Sequence, residues 1–317
     1  MMKDFKPIEL DKVKTYSIKG RKSKVSVDDL GHPVKSGNSF AAFLEGLPQI
    51  LAAGDLKEIA AKTAWAHREE KVIALAMGAH VIKVGLGPMI IDFMEKGIIN
   101  SIAMNGAGIV HDFELAYTGQ TSEDVAAEID GGTFGMAEET GRMLNVAIKE
   151  GVKKGIGIGQ SVGEMINREK LPHAGKSILA AGARLNVPVT IHVAVGTDII
   201  HMHPHADGAA IGQGSYTDFR LFSSVISRLD GGIYLNVGSA VLLPEVFLKA
   251  LTLVRNLGHE VKNFSTVNMD FMQHYRPLTN VVKRPTQDGG KGYALTGHHE
   301  IMLPLLFSAV MEELGKE

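Results

Sequence analysis

Apolar residues recur at three- and four-residue spacings from Ser39 onward, first in FAAFLEGLPQILAAG and then in DLKEIAAKTAWAHREE. The spacing predicts two helices, the second capped by Asp55. Beyond them the period changes. KVIALAMGAHVIKVGLG reads as a buried strand ending in a Gly turn, and Pro88 opens the helix PMIIDFMEKG, where a missing N–H costs nothing. IINSIAMNGAG reads as a second strand and Gly turn before the helix IVHDFELAY. Helices SILAAGARLN, DFRLFSSVISRL, LPEVFLKALTLVRNLG and EIMLPLLFSAVMEEL then alternate with strands VPVTIHVAVG, GGIYLNVGS and NFSTVNMD. This alternation predicts an α/β fold: a doubly wound, mostly parallel, Rossmann-like sheet with helices on both faces.

Residues 1–36 lack this periodicity and are polar and charged, which predicts an arm wrapping the domain or a subunit partner. Residues 37–317 carry no fixed-period repeat and no evident linker, and read as a single domain.

Composition narrows the picture. Glycine (36 residues) gathers at strand ends, and aromatics are 6%, so the core is aliphatic, with 14 Met to fill it. A net charge of −2 argues against a nucleic-acid surface. The absence of cysteine excludes disulfides, thiolate catalysis and Cys-ligated zinc. The charged start MMKDFKPIELDKVK has no apolar h-region, and no run is long and apolar enough for a span. A cytoplasmic protein with no membrane partner is the expectation.

Ligands of such sheets sit outside the carboxyl ends of the strands. The polar or Gly-rich segments 83–88, 104–112, 196–215, 236–245 and 266–274 are therefore the places to seek chemistry. In Asn105-Gly106-Ala107-Gly108 small residues would let backbone N–H groups approach a phosphate at a helix start. A tight strand–helix turn without ligand explains the same letters. Val84-Gly85-Leu86-Gly87 has the same form. KKGIGIGQSVG (153–163) comes near a dinucleotide fingerprint but follows a helical stretch, so it reads as a mobile loop covering the site. His201, His203 and His205 alternate and would share one face of an extended segment. Pro204 interrupts it, so a polar cleft lining is expected there rather than a metal. Asp207-Gly208 would suit a ribose hydroxyl. His298-His299 opens the last helix, and Lys283 and Lys291 flank a polar stretch that reads as a loop.

Taken in order, KVGLGPMIIDFMEKGIINSIAMNGAGIVHDFELA, HADGAAIG, GGIYLNVGSAVLLPEVFLKAL and HHEIMLPLLFSAV resemble the deoxyhypusine synthase family over roughly residues 36 to 312. That family is tetrameric and uses NAD to oxidise spermidine, passing an aminobutyl group through a lysine imine. The resemblance implies a homotetramer and an NAD site on Val84, Gly85, Leu86, Gly87, Asn105, Gly106, Ala107, Gly108, Asp207, Gly238, Ser239, Thr266, Val267, His298 and His299. It also implies substrate contacts at Asp112, where His111 replaces a second acid, and at Lys291. Lys283 matches the nucleophile by spacing, with His111, His203 and His205 as proton carriers. The family's Lys-His-His run is here Leu242-Leu243-Pro244-Glu245, its polyamine-binding aspartate is lost, and neither lysine has the family's adjoining Trp, the chain's one Trp being Trp65, far upstream.

An ammonium substrate needs carboxylates or aromatic faces, so the small-molecule substrate is expected to differ from spermidine. The leading expectation is an NAD-dependent transferase or oxidoreductase. An NAD-binding regulatory or scaffold protein is the alternative. A sirtuin-like use of NAD and metal-dependent hydrolysis stand further back.

Overall fold

The computed structural model describes residues 5–316. Two helices lead into the sheet, α1 (Phe40–Gly46) and α2 (Leu51–Arg68). The break between them falls at Leu47-Pro48, not at Asp55, which lies inside α2. Proline holds the preceding residue extended (Leu47, ψ 148) and ends the helix there.

β1 (Ile73–Met77) is followed by α3 (His80–Lys83) and α4 (Gly87–Glu95), and β2 (Ser101–Asn105) by α5 (Gly106–Thr118). Then come α6 (Val125–Glu128), α7 (Glu138–Lys153), α8 (Ile158–Arg168) and α9 (Ile178–Leu185) before β3 (Val189–His192). The second half runs α10 (Gly208–Ile226), β4 (Ile233–Val237), α11 (Leu242–Asn256) and β5 (Ser265–Asp270). It closes with α12 (Tyr275–Pro277), which continues as a π-type turn to Lys283, then β6 (Lys291–Thr296) and α13 (His299–Leu314). The sheet is six-stranded in the order β3-β2-β1-β4-β5-β6, every pair parallel. This is the doubly wound dinucleotide-fold order, with its switch point between β1 and β4.

Alternation along the strands sorts the core. Ile73, Leu75, Met77, Ile102, Met104, Leu235, Val267 and Met269 face the layer containing α2, α4, α5, α8, α9 and α13. Ala74, Ala76, Ala103 and Tyr234 face α10 and α11, where Tyr234 stacks on Phe247 at 3.9 Å between ring centres. Small alanines on this face leave room for those rings.

Three expected segments change. The strand that was to end at residues 83–88 ends at Met77, and Val84–Gly87 lies a helical turn further on, joining α3 to α4. Residues 158–163 are not a mobile loop but the buried start of α8. The polar stretch after Lys283 contains, from Lys291, the edge strand β6, whose outward positions hide its alternation.

The arm, from residue 5 to Ser39, holds two single-turn 3-10 helices and is almost wholly exposed. It meets the body through Gln49 N–H to Asp29 O and His32 N–H to Gly46 O. No helix among the described residues is long and apolar enough to cross a membrane.

Candidate functional site

The carboxyl edge of the sheet gathers polar groups from five strand ends. At the switch point Gly78 follows β1 and Gly238 follows β4. A Cβ on Gly78 would run into the Gly238 carbonyl, and Gly238 (φ 65) lies against the His299 ring. Only glycine allows this approach with that backbone.

His299, the first residue of α13, is 1% exposed and neither ring nitrogen has a hydrogen-bond partner. Its Nε2 lies 3.8 Å from Asp270 Oδ1 at the end of β5, and its ring meets those of His80 and Phe271 edge-on. Burial holds its pKa below the ordinary value; Asp270, the nearby Met269 backbone and Glu300 pull the other way, and His80 adds to the lowering. Beside it, Asn236 donates to Asn268 Oδ1 (2.7 Å) and to the Ser239 carbonyl (2.9 Å). Ser239 Oγ accepts from Leu243 N–H, and His298 is exposed and stacked on Phe271.

At the other end of this edge, Asn105 caps α5, its Oδ1 accepting from Gly108 N–H (3.2 Å). There is no loop: Gly106, Ala107 and Gly108 form the first turn of the helix itself. The space over that turn is filled by the Asp198 carboxylate, which any Cβ on Gly106 would strike. Asp198 is 7% exposed, and burial raises its pKa against the opposing pull of His201, Thr197 and Ala107 N–H.

The same device recurs twice. Asp112 accepts from Ser177 Oγ, Ile178 N–H (2.8 Å) and Leu179 N–H (3.1 Å) at the start of α9. Asp218 accepts from Gly159 N–H (3.1 Å) at the start of α8 and from Ile191 N–H (2.9 Å) of β3. Burial lifts the first to about 6 and the second to about 7, against these hydrogen bonds. Asp112, expected to hold substrate, thus has both oxygens committed to α9, because its position on α5 points into the α9 interface rather than the crevice.

Other expected residues also move. Lys283 and Lys291 sit at the amino edge of the sheet: Val281 and Val282, next to Lys283, touch Thr266 and Gly292 at the starts of β5 and β6. Lys291 pairs with Glu58 and lies over Tyr293. With strands of six residues, both are roughly 15–20 Å from the crevice. Thr266 and Val267 are interior to β5, so Asp270 is its carboxyl end instead.

The histidine run does not share a face, because Ile199–Met202 is a 3-10 turn. His201 turns to Asp198, while the buried His203 sits against Gly141, its Nε2–H donating to Gly135 O (2.8 Å). His205 is half-buried, and Asp207 caps α10 through Ala210 N–H. His111 bonds Thr121 Oγ1 (2.7 Å), and its pKa falls to about 4 through burial and then Lys83. Among the described residues no three His, Asp or Glu side chains are placed to hold a metal.

No family model matches the chain, and no curated protein does. Solved structures do match in fold. A conserved candidate LOR/SDH protein from Methanococcus maripaludis S2 superposes with a TM-score of 0.52 over 83% of this chain and 71% of that one, at 16% identity. A candidate deoxyhypusine synthase from Entamoeba histolytica gives 0.52 over 89% and 96%, at 12% identity. AgrE in its ternary complex with ornithine and NAD+ gives 0.50 at 13% identity, over 84% of this chain but only 34% of that one. At these identities the likeness is one of fold. What the chain shares with them is the doubly wound, mostly parallel α/β sheet flanked by helices.

Four polar groups at this edge were missed in the sequence: Asp198, His80, Asp270 and the Asn236–Asn268 pair. Asp198, Asn236, Asn268 and Asp270 fall inside the polar segments marked at strand ends without being singled out, while His80, in MGAH directly after β1, lies outside them. His192, the last residue of β3, is 3% exposed, and burial alone drops its pKa to about 3. A group whose folded pKa is depressed contributes stability that is complete above its unfolded value, near 6.5, and is lost as pH falls. His192→Asn should therefore show a shallower loss of urea stability between pH 6.5 and 4 than the parent. An unchanged slope would deny His192 that share.

Proposed function

We propose that the protein is an enzyme that binds an NAD-type dinucleotide along the carboxyl edge, across the β1–β4 switch point, and acts on a small-molecule substrate. The observation that carries this is His299: a fully buried imidazole with two unpartnered nitrogens, beside Asp270 and against the glycine turn after β4. Leaving such polar atoms unmatched is costly, and functional sites are where that cost is tolerated.

The residues fit the cofactor on one side of the crevice. No side chain caps the start of α13, although Glu300 lies in its first turn. The N–H groups of His299 and Glu300, with Ser239 and His298 beside them, are what this side of the crevice offers the charged linker of a dinucleotide. The start of α5 does not suit a phosphate, because Asp198 holds that place. Bound there, the cofactor would supply hydride exchange. His299, steered by Asp270, would take or return the substrate's proton at a ring nitrogen, and the glycines would let the ligand lie close to the strand ends.

A lysine imine has no part in this reading, since Lys283 is at the opposite edge. A cytoplasmic location and a homotetramer belong to it, with Phe5, Ile8, Leu10 and Tyr16, each at least 74% exposed on the arm, as residues a subunit contact would cover.

Thermal denaturation with NAD, NADH and NADP tests the proposal. Ligand at 100 times its Kd adds about 2.7 kcal/mol, a midpoint rise of a few degrees at this size. A rise that His299→Ala abolishes, together with cofactor turnover on amines, aldehydes or amino acids, is expected. No rise with any nucleotide would defeat the reading. A rise without turnover would favour the scaffold role, which the engagement of Asp112 and the distance of Lys283 already suit.

A further inference from the structure

The seat at the start of α5 is filled by Asp198, yet the group that fills it is itself incompletely matched. Asp198 Oδ2 has no hydrogen-bond partner, and neither has His201 Nε2, 3.9 Å away; their side chains are 5% and 7% exposed. His201 Nδ1 accepts from Gly196 N–H (3.0 Å) and Asp198 N–H (3.3 Å), so the ring proton of the neutral form is on Nε2. A donor thus faces an acceptor across a gap too wide for a direct bond. A hydroxyl completes both: its oxygen accepts from His201 Nε2–H and its proton goes to Asp198 Oδ2.

The position of this pair in the sheet says which hydroxyl. Asp198 lies at the end of β2, beside β1 and one strand from the switch point. In sheets of this order an acid at the end of β2 bonds the ribose of a dinucleotide whose diphosphate crosses the end of β1. Here β2 ends in Asn105 and runs straight into Gly106-Ala107-Gly108, so its own sequence supplies no acid. The chain supplies one from the segment after β3.

We propose that Asp198 and His201 read a ribose hydroxyl of the bound dinucleotide, and that the Asp198 carboxylate, already on the helix end, turns away a 2′-phosphate. The site then takes NAD and rejects NADP. This rests on the dinucleotide reading above. Both atoms are closed to solvent, so engagement requires a shift of the exposed turn Val195–Thr197, which carries the Gly196 N–H bonded to His201.

Isothermal titration of the full-length protein with NAD and with NADP is the test. The parent should bind NAD at least tenfold more tightly than NADP. Asp198→Asn should shrink that ratio at least tenfold, weakening NAD and improving NADP. His201→Gln, which keeps the carboxylate, should weaken NAD while NADP stays excluded; it serves alone if the Asp198 variant does not fold. A parent that binds NAD, with variants that leave the ratio unchanged, overturns the assignment. So does an Asp198→Asn that strengthens both ligands, because Asp198 would then be only a competitor for the helix end. A parent that binds neither nucleotide removes the dinucleotide reading itself.

Discussion

Replacing Asp218 with alanine is expected to lower the unfolding free energy by about 4 kcal/mol, measured by urea denaturation. The carboxylate is 1% exposed and hydrogen-bonds two elements at once, the start of α8 and the edge strand β3, where Gly159 also packs on the Val189 carbonyl. Without it the N–H groups of Gly159 and Ile191 are left buried and unmatched, each at about 1–3 kcal/mol, beside a cavity the side chain leaves. Gly157 gives a second reason: it is glycine because Asp218 lies where its Cβ would be. Asp207→Ala is the control. Asp207 also caps a helix but is exposed, so its loss should cost about 1 kcal/mol. Equal losses from the two variants would show that burial adds nothing to the Asp218 anchor.

Gly78→Ala should have the second large effect, and at the site. The new methyl would meet the Gly238 carbonyl at a separation no real Cβ tolerates. The neighbour is backbone, held in place by Gly238 N–H to Met269 O, and cannot rotate away as a side chain would. Overpacking of this kind costs about 1–3 kcal/mol. The strain falls on the turn that supports His299, so the thermal shift with NAD should vanish even where the variant folds. An alanine variant with parental stability and an intact shift would mean that β1 and β4 can separate freely at the switch point.

Much of the fold was legible in the chain. The change from helical spacing to short apolar runs rich in β-branched residues and bounded by Gly turns marked β1 to β5. In KVIALAMGAHVIKVGLG, though, the apolar run alone did not separate β1 from the helical turn α3 after it. β6 was not legible, since the edge strand KGYALT places Lys291 and Thr296 outward and follows a polar turn. Of the candidate residues, Asn105–Gly108, Gly238, Ser239, His298 and His299 lie at the carboxyl edge. Lys283 and Lys291 are not. Spacing along the chain matched Lys283 to a nucleophile, but the connection from β5 to β6 must return to the start of a parallel strand, and it carries both lysines away from the crevice.

The sequence by itself determined the alternation of strands and helices, the aliphatic core, and the glycines where backbones meet. These follow from local periodicity and from the few residues a given φ or close contact allows. Tertiary structure alone decided which polar groups share the crevice. Asp112 meets α9 at Leu179, 67 residues on, and Asp218 meets α8 at Gly159, 59 residues back. Asp198 reaches α5 across more than 90 positions of sequence, from Gly106. A buried carboxylate is placed by the packing of the element that carries it and by the unmatched N–H groups it finds there. Neither is written in the residues on either side of it.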